Sequence, residues 1–453
     1  MAIAAISTAM APGGLGVLRI SGEDAAEIGD RVFRGISGKR LCEYKGYRAG
    51  FGEVRDSENI KIDDAVALVF RAPKSFTGED TVELSCHGGI YVMNAMLDAV
   101  LKAGARAAEP GEFTKRAFIN GKMDLTQAES VMQLIRAGGE QAAREAAAAA
   151  DGRLSRRIGE LKEMLKSMTA HLAAWADFPE EDVPEVDEGN LKSQLDDIKK
   201  ELEKLLASFD KGQAFREGID AVIAGKTNAG KSTLMNLISG KERSIVTHIP
   251  GTTRDVVEDT VILAGVTLRL ADTAGIRNTA DPVEKIGVDR SWQRLGNARL
   301  VLAVFDASTE LDDNDRRLLE KLNPKNTIGI INKTDLPVKI EMKEIGAVLD
   351  KPIQISAGTG EGIEAIEKKV TEILDIGGFD PSAGTLYTKR QQEDAKEAYD
   401  QIESALDALA SGMTLDAVTI SIEEAFSALC RLSGENVSEE IVDRVFGMFC
   451  VGK

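Results

Sequence analysis

The residues "DAVIAGKTNAGKST" (220–233) constrain the fold more than any other part of this 453-residue chain. A short apolar run reads as a buried strand, and it is followed at once by GxxxxGK[ST], with Gly225, Gly230, Lys231 and Ser232 in the required places. Such a turn wraps backbone N–H groups around phosphates; the lysine ammonium reaches the β and γ oxygens, and the serine hydroxyl suits Mg²⁺. A strand that feeds a glycine-rich turn and then a helix belongs in a parallel α/β sheet.

Four more segments follow in order: "PGTTRD" (250–255), "LADTAG" (270–275), "INKTD" (331–335) and "ISAGTG" (355–360). This is the order used by small GTPases. Asp272 closes the alternating "VTLRLAD", the place of a residue that holds Mg²⁺ through water, and Gly275 offers its N–H to a γ-phosphate. Asn332 and Asp335 follow the apolar "TIGII"; in GTPases of this kind the aspartate reads guanine hydrogens that adenine lacks. Ras-like enzymes place a water-orienting Gln just after DxxG, but here that position is Ile276. Of the three histidines, His87, His171 and His248, only His248 lies in this segment. The attacking water must be oriented in another way.

The flanks have a different character. Up to about residue 120, short β-like runs mix with a few helices. "MAIAAISTAMAPGG" lacks a basic leader and reads as a strand ending at Pro-Gly-Gly. "AVALVF" (65–70) reads as a buried strand, and "TVELSCHGG" (81–89) alternates, with Val82, Leu84 and Cys86 on one face and Glu83, Ser85 and His87 on the other. From 123 the chain turns helical, with capping-box spacing at Thr126 and Glu129, an acidic and Pro-bearing interruption at 177–190, and a further helix over 191–210. Helix returns after 389, and "SEEIVDRVFGMFC" has Ser438 as N-cap and Ile441, Val442, Val445, Phe446 and Phe449 as its apolar stripe. An α/β segment of about 216–378 is therefore inserted between helical stretches, and its two ends are expected to lie close together.

Composition narrows the setting. Four scattered cysteines, Cys42, Cys86, Cys430 and Cys450, form neither a disulfide framework nor a zinc pattern, and point to a reducing, cytoplasmic location. No run of 18 apolar residues occurs, so no membrane span is expected. A net charge of −18 argues against gripping nucleic acid over the whole surface, and leaves room for a local basic groove or a partner that supplies one.

Taken together, "GKTNAGKSTLMNLISG", "IVTHIPGTTRD", "DTAGIR", "VEKIGVDRS" and the terminal Cys-x-Gly-Lys resemble the MnmE (TrmE) family of tRNA-modification GTPases, over essentially the whole chain. The resemblance implies an α+β folate-binding and dimerising domain (1–120), then a helical domain (121–215 and 379–453) interrupted by a Ras-like P-loop GTPase domain (216–378). It implies GTP contacts from Asn228, Ala229, Gly230, Lys231, Ser232 and Thr233; from Thr247, His248, Ile249, Pro250, Gly251, Thr252 and Thr253; from Asp272, Thr273, Ala274 and Gly275; and from Asn332, Lys333, Thr334, Asp335, Ser356, Ala357 and Gly358. In the family a K⁺ ion replaces an arginine finger, with Asn228, Thr247, Ile249 and Thr252 as its matching ligands here. Mg²⁺ would be held by Ser232 and Thr253, and Glu284 would position water. Thr227, where many relatives have Pro, and the small "SAGTG" loop depart from the pattern without touching a charge or a metal ligand.

For the amino-terminal domain the family implies a tetrahydrofolate, 5,10-methylene or 5-formyl, contacted by Arg19, Glu83 and Lys122. A carboxylate suits an amino-pyrimidine edge, and cations suit glutamyl carboxylates. The tail "FCVGK" (449–453) is not a prenylation signal, since Gly452 and Lys453 fit neither slot. Read from composition alone, Cys450 fills apolar space on a terminal helix. The family places Lys453 near the folate and makes Cys450 a candidate catalytic thiol. The implied activity is a K⁺-dependent, homodimeric GTPase. With an MnmG-like FAD protein, in a heterotetramer, it would build aminomethyl or carboxymethylaminomethyl groups at C5 of the tRNA wobble uridine. Two other readings are an Era-like ribosome-assembly GTPase and a folate-dependent one-carbon transferase with a regulatory G domain.

Overall fold

The computed structural model describes residues 1–177, 185–241, 259–272, 292–377 and 379–453. These residues form two compact units. One comprises Met1–Met132, Ala149–Asp196 and Glu393–Lys453, and the other Gln133–Ala148 and Asp197–Gln392. No helix among the described residues is long and apolar enough to cross a membrane.

The first unit is built on seven strands: β1 (Ile3–Ile6), β2 (Gly13–Ser21), β3 (Phe33–Gly35), β4 (Arg48–Arg55), β5 (Lys61–Phe70), β6 (Thr81–Gly88) and β7 (Arg106–Ala107). Their order is β3-β4-β5-β6-β2-β1-β7, antiparallel except where β7 joins β1. The opening strand stops at Ile6, and Gly13 begins the next one, so the first strand is shorter than expected. "AVALVF" is a half-buried strand, not a fully buried one: Ala65, Ala67 and Val69 point into the core while Val66 is 41% exposed. The alternation in β6 is as read, with Val82, Leu84 and Cys86 buried and Glu83, Ser85 and His87 on the opposite face. His87 there pairs with Asp63, its Nδ1 lying 2.9 Å from a carboxylate oxygen.

In the same unit the helices Arg153–Asp177 and Leu415–Ser433 pack together, so the two flanking helical stretches do meet. The Lys162 ammonium bonds Ser433 Oγ at 3.3 Å and pairs with Glu435. The capping box of the helix Leu125–Arg136 is shifted by two residues from the expected one: the Asp124 carboxylate accepts from Gln127 N–H at 2.9 Å while Gln127 Oε1 accepts from Asp124 N–H at 3.1 Å. Thr126, 1% exposed, instead bonds Ser155 Oγ. Ser438 caps the last helix, Glu439–Phe446, as expected, but that helix ends at Phe446; Phe449 is buried beyond it, and Cys450 is exposed and off the helix.

The second unit holds a six-stranded sheet of β8 (Ile219–Ala224), β9 (Asp259–Leu263), β10 (Val266–Asp272), β11 (Leu300–Asp306), β12 (Thr327–Asn332) and β13 (Ile353–Gln354). The order is β13-β12-β11-β8-β10-β9, parallel except for the β9–β10 hairpin. Successive residues of β8 and β11 feed two separate apolar clusters, one on each face, which is why all seven residues of β11 are buried. After β8 the chain adds β9 and β10 on one side of it and then β11, β12 and β13 on the other, so the turn after β8 opens at a switch point, where α/β sheets bind ligands.

The ends of the inserted segment are close, as the insertion requires. Phe215 stacks on Phe379 with ring centroids 5.2 Å apart. Arg216, 6% exposed, pairs at 2.7 Å with Glu145, 1% exposed, and the same carboxylate oxygen accepts from Thr385 Oγ1 at 2.6 Å. The Arg216 guanidinium lies between the rings of Phe209 (4.8 Å) and Tyr387 (5.0 Å). Burial pushes the Glu145 carboxyl up, against the opposing pull of Arg216 and Thr385, and its Oε2 has no hydrogen-bond partner among the described residues.

Candidate functional site

The nucleotide site grows from β8 outward. Gly225 (φ +155°) and Gly230 (φ +95°) take backbone angles that side chains resist, and an added Cβ would lie 2.3 Å from the Val304 carbonyl oxygen and 2.1 Å from Asn332 Nδ2 respectively. Asn228, between them, is left-handed at φ +64°, a conformation asparagine tolerates better than most residues. Lys231 opens the helix Lys231–Lys241 and donates from Nζ to the carbonyls of Gly225 (2.8 Å) and Lys226 (2.9 Å), so the ammonium is folded over the loop. Ser232 and Thr233 follow in the first turn of that helix, whose N-terminus favours anions.

The "NKTD" and "SAGTG" segments close around this turn. Asn332, 1% exposed at the end of β12, donates from Nδ2 to the Ala229 carbonyl and accepts at Oδ1 from Ala357 N–H, both at 2.9 Å. One buried amide thus joins three loops. Lys333 donates to the Asn228 carbonyl (2.7 Å) and pairs with Asp306 (2.6 Å) at the end of β11. Burial raises the Asp306 carboxyl, but the bonds from Lys333 and Ser308 outweigh it and hold the group below the usual carboxylate range. The side chain of Thr334 bonds the Ile355 carbonyl at 2.9 Å. Asp335 accepts from Ser356 Oγ at 2.7 Å, which fixes one carboxylate oxygen and the plane of the other. Gly358 has open space around its Cα, so the loop presents no side chain there.

Asp272 ends β10 as expected. The remaining expectations, Thr247, His248, Ile249, Pro250, Gly251, Thr252, Thr253, Thr273, Ala274, Gly275 and Glu284, lie outside the described residues. Of the implied metal ligands, Asn228 lies on the phosphate-binding turn and Ser232 in the first turn of the helix that follows it. A hydroxyl and an amide oxygen are ligand types that hard cations take.

The loop has a support that the motif does not name. Lys226, an unspecified position in GxxxxGK, pairs with Asp315 at 2.7 Å and Asp312 at 3.5 Å; Asp315 is 2% exposed and forms the capping box of the helix Asp313–Lys321. Burial lowers the Lys226 pKa, but the two carboxylates prevail and hold it above the ordinary lysine value. No local pattern marks Asp315 as a partner, because 89 residues separate the two.

In the first unit, Arg19 and Glu83 face each other across β2 and β6, paired at 2.8 Å. The Arg19 guanidinium lies 5.7 Å from the Phe76 ring and 5.5 Å from the Phe113 ring. Lys122 reaches the same loop as Phe76, donating to the Pro73 carbonyl at 2.9 Å. The carboxyl-terminal tail folds back here: Gly111 N–H donates to the Cys450 carbonyl (3.4 Å), Phe113 N–H to the Lys453 carbonyl (3.3 Å) and Ser7 Oγ to the Gly452 carbonyl (3.3 Å). Arg19, Glu83 and the end of the chain are therefore joined through Phe113. A cation, a carboxylate and two flanking aromatic rings fit a ligand with a flat polar ring, although in this arrangement Glu83 is engaged by Arg19.

A family model described as "MnmE helical domain" matches residues 125–450, and one described as "GTP-binding protein TrmE N-terminus" matches residues 2–122. Among curated proteins, the tRNA modification GTPase MnmE of Clostridioides difficile (strain 630) is 41% identical over 454 residues, covering 100% of this chain and 99% of that protein. The chain belongs to the MnmE family. The MnmE of Geobacillus kaustophilus (strain HTA426) is 42% identical over 462 residues, and that of Acetivibrio thermocellus 41% over 455, each again covering 100% of this chain and 99% of the relative.

The carboxyl-terminal tail has one position with no latitude. Gly452 is buried at φ +96°, and a Cβ there would sit 2.3 Å from the Ile6 carbonyl oxygen. Gly452→Ala is expected to release residues 450–453 from the amino-terminal sheet, costing about 1–3 kcal/mol of local stability. Hydrogen exchange at Gly111 and Phe113 reads this directly, and unchanged protection of both amides would show that the tail does not depend on the glycine.

Proposed function

We propose that this MnmE-family chain is a GTPase that acts, with an FAD-bearing MnmG-like partner, on the wobble uridine of certain tRNAs. The observation that carries the nucleotide part is the Asn332 amide, which assembles the phosphate loop and the "SAGTG" loop into one site beside Asp335. Asp335 would accept the guanine N–H groups, Lys231 would move from the loop carbonyls to the β and γ oxygens, and Ser232 with Thr253 would hold Mg²⁺. Asn228, Thr247, Ile249 and Thr252 would hold K⁺, which when bound supplies the positive charge an arginine finger otherwise provides. Glu284 would orient the water that Ile276 cannot.

In the amino-terminal domain (1–120), Arg19, Glu83 and Lys122 would bind a methylene- or formyl-tetrahydrofolate, the one-carbon source, and the same domain would form a homodimer. The G domain (216–378) would work as a conformational drive for the helical domain (121–215 and 379–453). Cys450 and Lys453 would position the ligand at the tail, the exposed thiol being more accessible than a structural one. Full-length similarity to MnmE proteins favours this over an Era-like ribosome-assembly role or a one-carbon transferase that needs no partner.

Two measurements test the reading together. GTP turnover is expected to be at least tenfold faster in KCl than in NaCl, and to disappear in Glu284→Ala while GTP still binds. Mass spectrometry of tRNA from cells with and without the gene is expected to show loss of the wobble modification. Equal rates in the two salts would remove Asn228 from its metal role, and unmodified uridine in both samples would remove the tRNA reading.

A further inference from the structure

The stretch "RVFRGISGKRLCEYKGYR" (31–48) stands apart from the rest of this acidic chain. It carries six cations, Arg31, Arg34, Lys39, Arg40, Lys45 and Arg48, against one anion, Glu43, while the whole protein has a net charge of −18. Four of the cations, Arg31, Arg34, Lys39 and Arg40, line a cavity of 540 Å³ beside the edge strand β3, together with the carboxylates Glu27 and Asp30.

The charges in this cavity are not mutually cancelled. The Asp30 carboxylate is turned inward, with its side chain 7% exposed, and is used up by the N–H groups of Leu41 (2.5 Å) and Cys42 (3.2 Å) and by Arg40 Nε (3.3 Å). Arg31 is anchored through one nitrogen, Nη1, on the Ala103 carbonyl at 2.5 Å. Arg34 is held the same way on the carbonyls of Asp30 (2.5 Å) and Phe33 (3.2 Å). Each guanidinium is oriented by the backbone and keeps its Nε and Nη2 donors without a partner among the described residues. The Lys39 ammonium also has none. Fixed forks of N–H donors are the arrangement that phosphate oxygens bind bidentately.

We propose that this cavity is a docking site for the phosphodiester backbone of an RNA, which, on the function proposed above, is the tRNA substrate. The cavity has no exposed apolar anchor among its lining residues, since Phe33 is 3% exposed, so affinity there is electrostatic and not specific for sequence. With a net charge of −18 on the whole chain, a basic cavity is where RNA is attracted, and it biases the orientation in which the RNA approaches.

The test is titration of a fluorescently labelled tRNA transcript with the full-length protein at 50–200 mM salt. The parent is compared with Arg34→Glu/Lys39→Glu, whose residues are exposed and distant in sequence from the nucleotide motifs. The double variant is expected to bind at least tenfold more weakly at the lowest salt. The slope of log affinity against log salt should fall by about 1 to 2, since each neutralised phosphate contributes about 0.7 to 0.9. GTP turnover without tRNA is expected to be unchanged. Lys39→Glu alone, at a side chain with no structural bond to lose, is expected to show a smaller shift in the same direction and guards against misfolding of the double variant. A variant with parental affinity and slope overturns the proposal and leaves the tRNA function standing. A parent that binds no tRNA overturns both. Unchanged tRNA binding with lost capture of an FAD protein would assign the cavity to a protein partner and equally overturn it.

Discussion

Asn332→Ala is expected to weaken guanine-nucleotide binding on the order of 100-fold or more. The side chain is 1% exposed and makes two bonds of 2.9 Å, one to the Ala229 carbonyl in the phosphate loop and one from Ala357 N–H. Truncation leaves both backbone groups buried and unpaired, at about 1–3 kcal/mol each. Gly230 adds to the effect, because it approaches Asn332 Nδ2 so closely that the amide defines the shape of the turn. A cost of about 1.4 kcal/mol is a tenfold loss of affinity, so even the low end of the two penalties exceeds tenfold. Titration with a fluorescent GDP analogue measures it, and affinity within threefold of the parent would show that the loops are held together by something other than this amide.

Arg216→Ala should be the most destabilising single change near the ends of the inserted segment. It removes a guanidinium held between two aromatic rings and leaves Glu145, already short of one hydrogen bond, as a buried unpaired carboxylate. Breaking one side of a buried pair costs about 3–5 kcal/mol. In a chain with more than one cooperative unit a single melting temperature is a poor reporter, so the measurement is hydrogen exchange over residues 140–148 and 205–217. Exchange there should accelerate by roughly 100- to 4,000-fold, each 1.4 kcal/mol of lost protection being a factor of ten. The double replacement Glu145→Leu/Arg216→Met should recover most of the protection, because it removes both charges and keeps the volume. Parental exchange rates in Arg216→Ala would mean that the pair closes nothing.

What was legible in the sequence follows the range of the interactions. The β8 strand, its glycine turn and the following helix are specified by adjacent residues, and so are the alternation of β6 and the Ser438 cap. Errors of detail arose where two local patterns compete. Asp124 and Gln127 fit a capping box as well as Thr126 and Glu129 do, and the structure uses the pair nearer the preceding turn because Thr126 and Glu129 are buried in the helix interface. Phe449 matches the stripe of the last helix, yet that helix ends at Phe446 and the chain continues in turns, so that residues 450–453 bond to Ser7, Gly111 and Phe113. The long-range pairs could not be read at all, with one partial exception. Glu145 shares its helical spacing with Ala142, Ala146 and Ala149, all buried, and a lone carboxylate in such a stripe signals a partner elsewhere without naming it.

That carboxylate also sets a schedule for synthesis. Glu145 leaves the ribosome long before Thr385, 240 residues later, whose hydroxyl it binds. At about 5–20 residues per second, roughly 12 to 48 s pass between the two. Arg216 arrives within that interval, so the ion pair can form first and shield the charge while the residues of β8 to β13 are still being made. Only when Thr385 and Tyr387 follow does the second ring close over the guanidinium. The nascent GTPase segment is thus bracketed by a latch that is half made before it and finished after it.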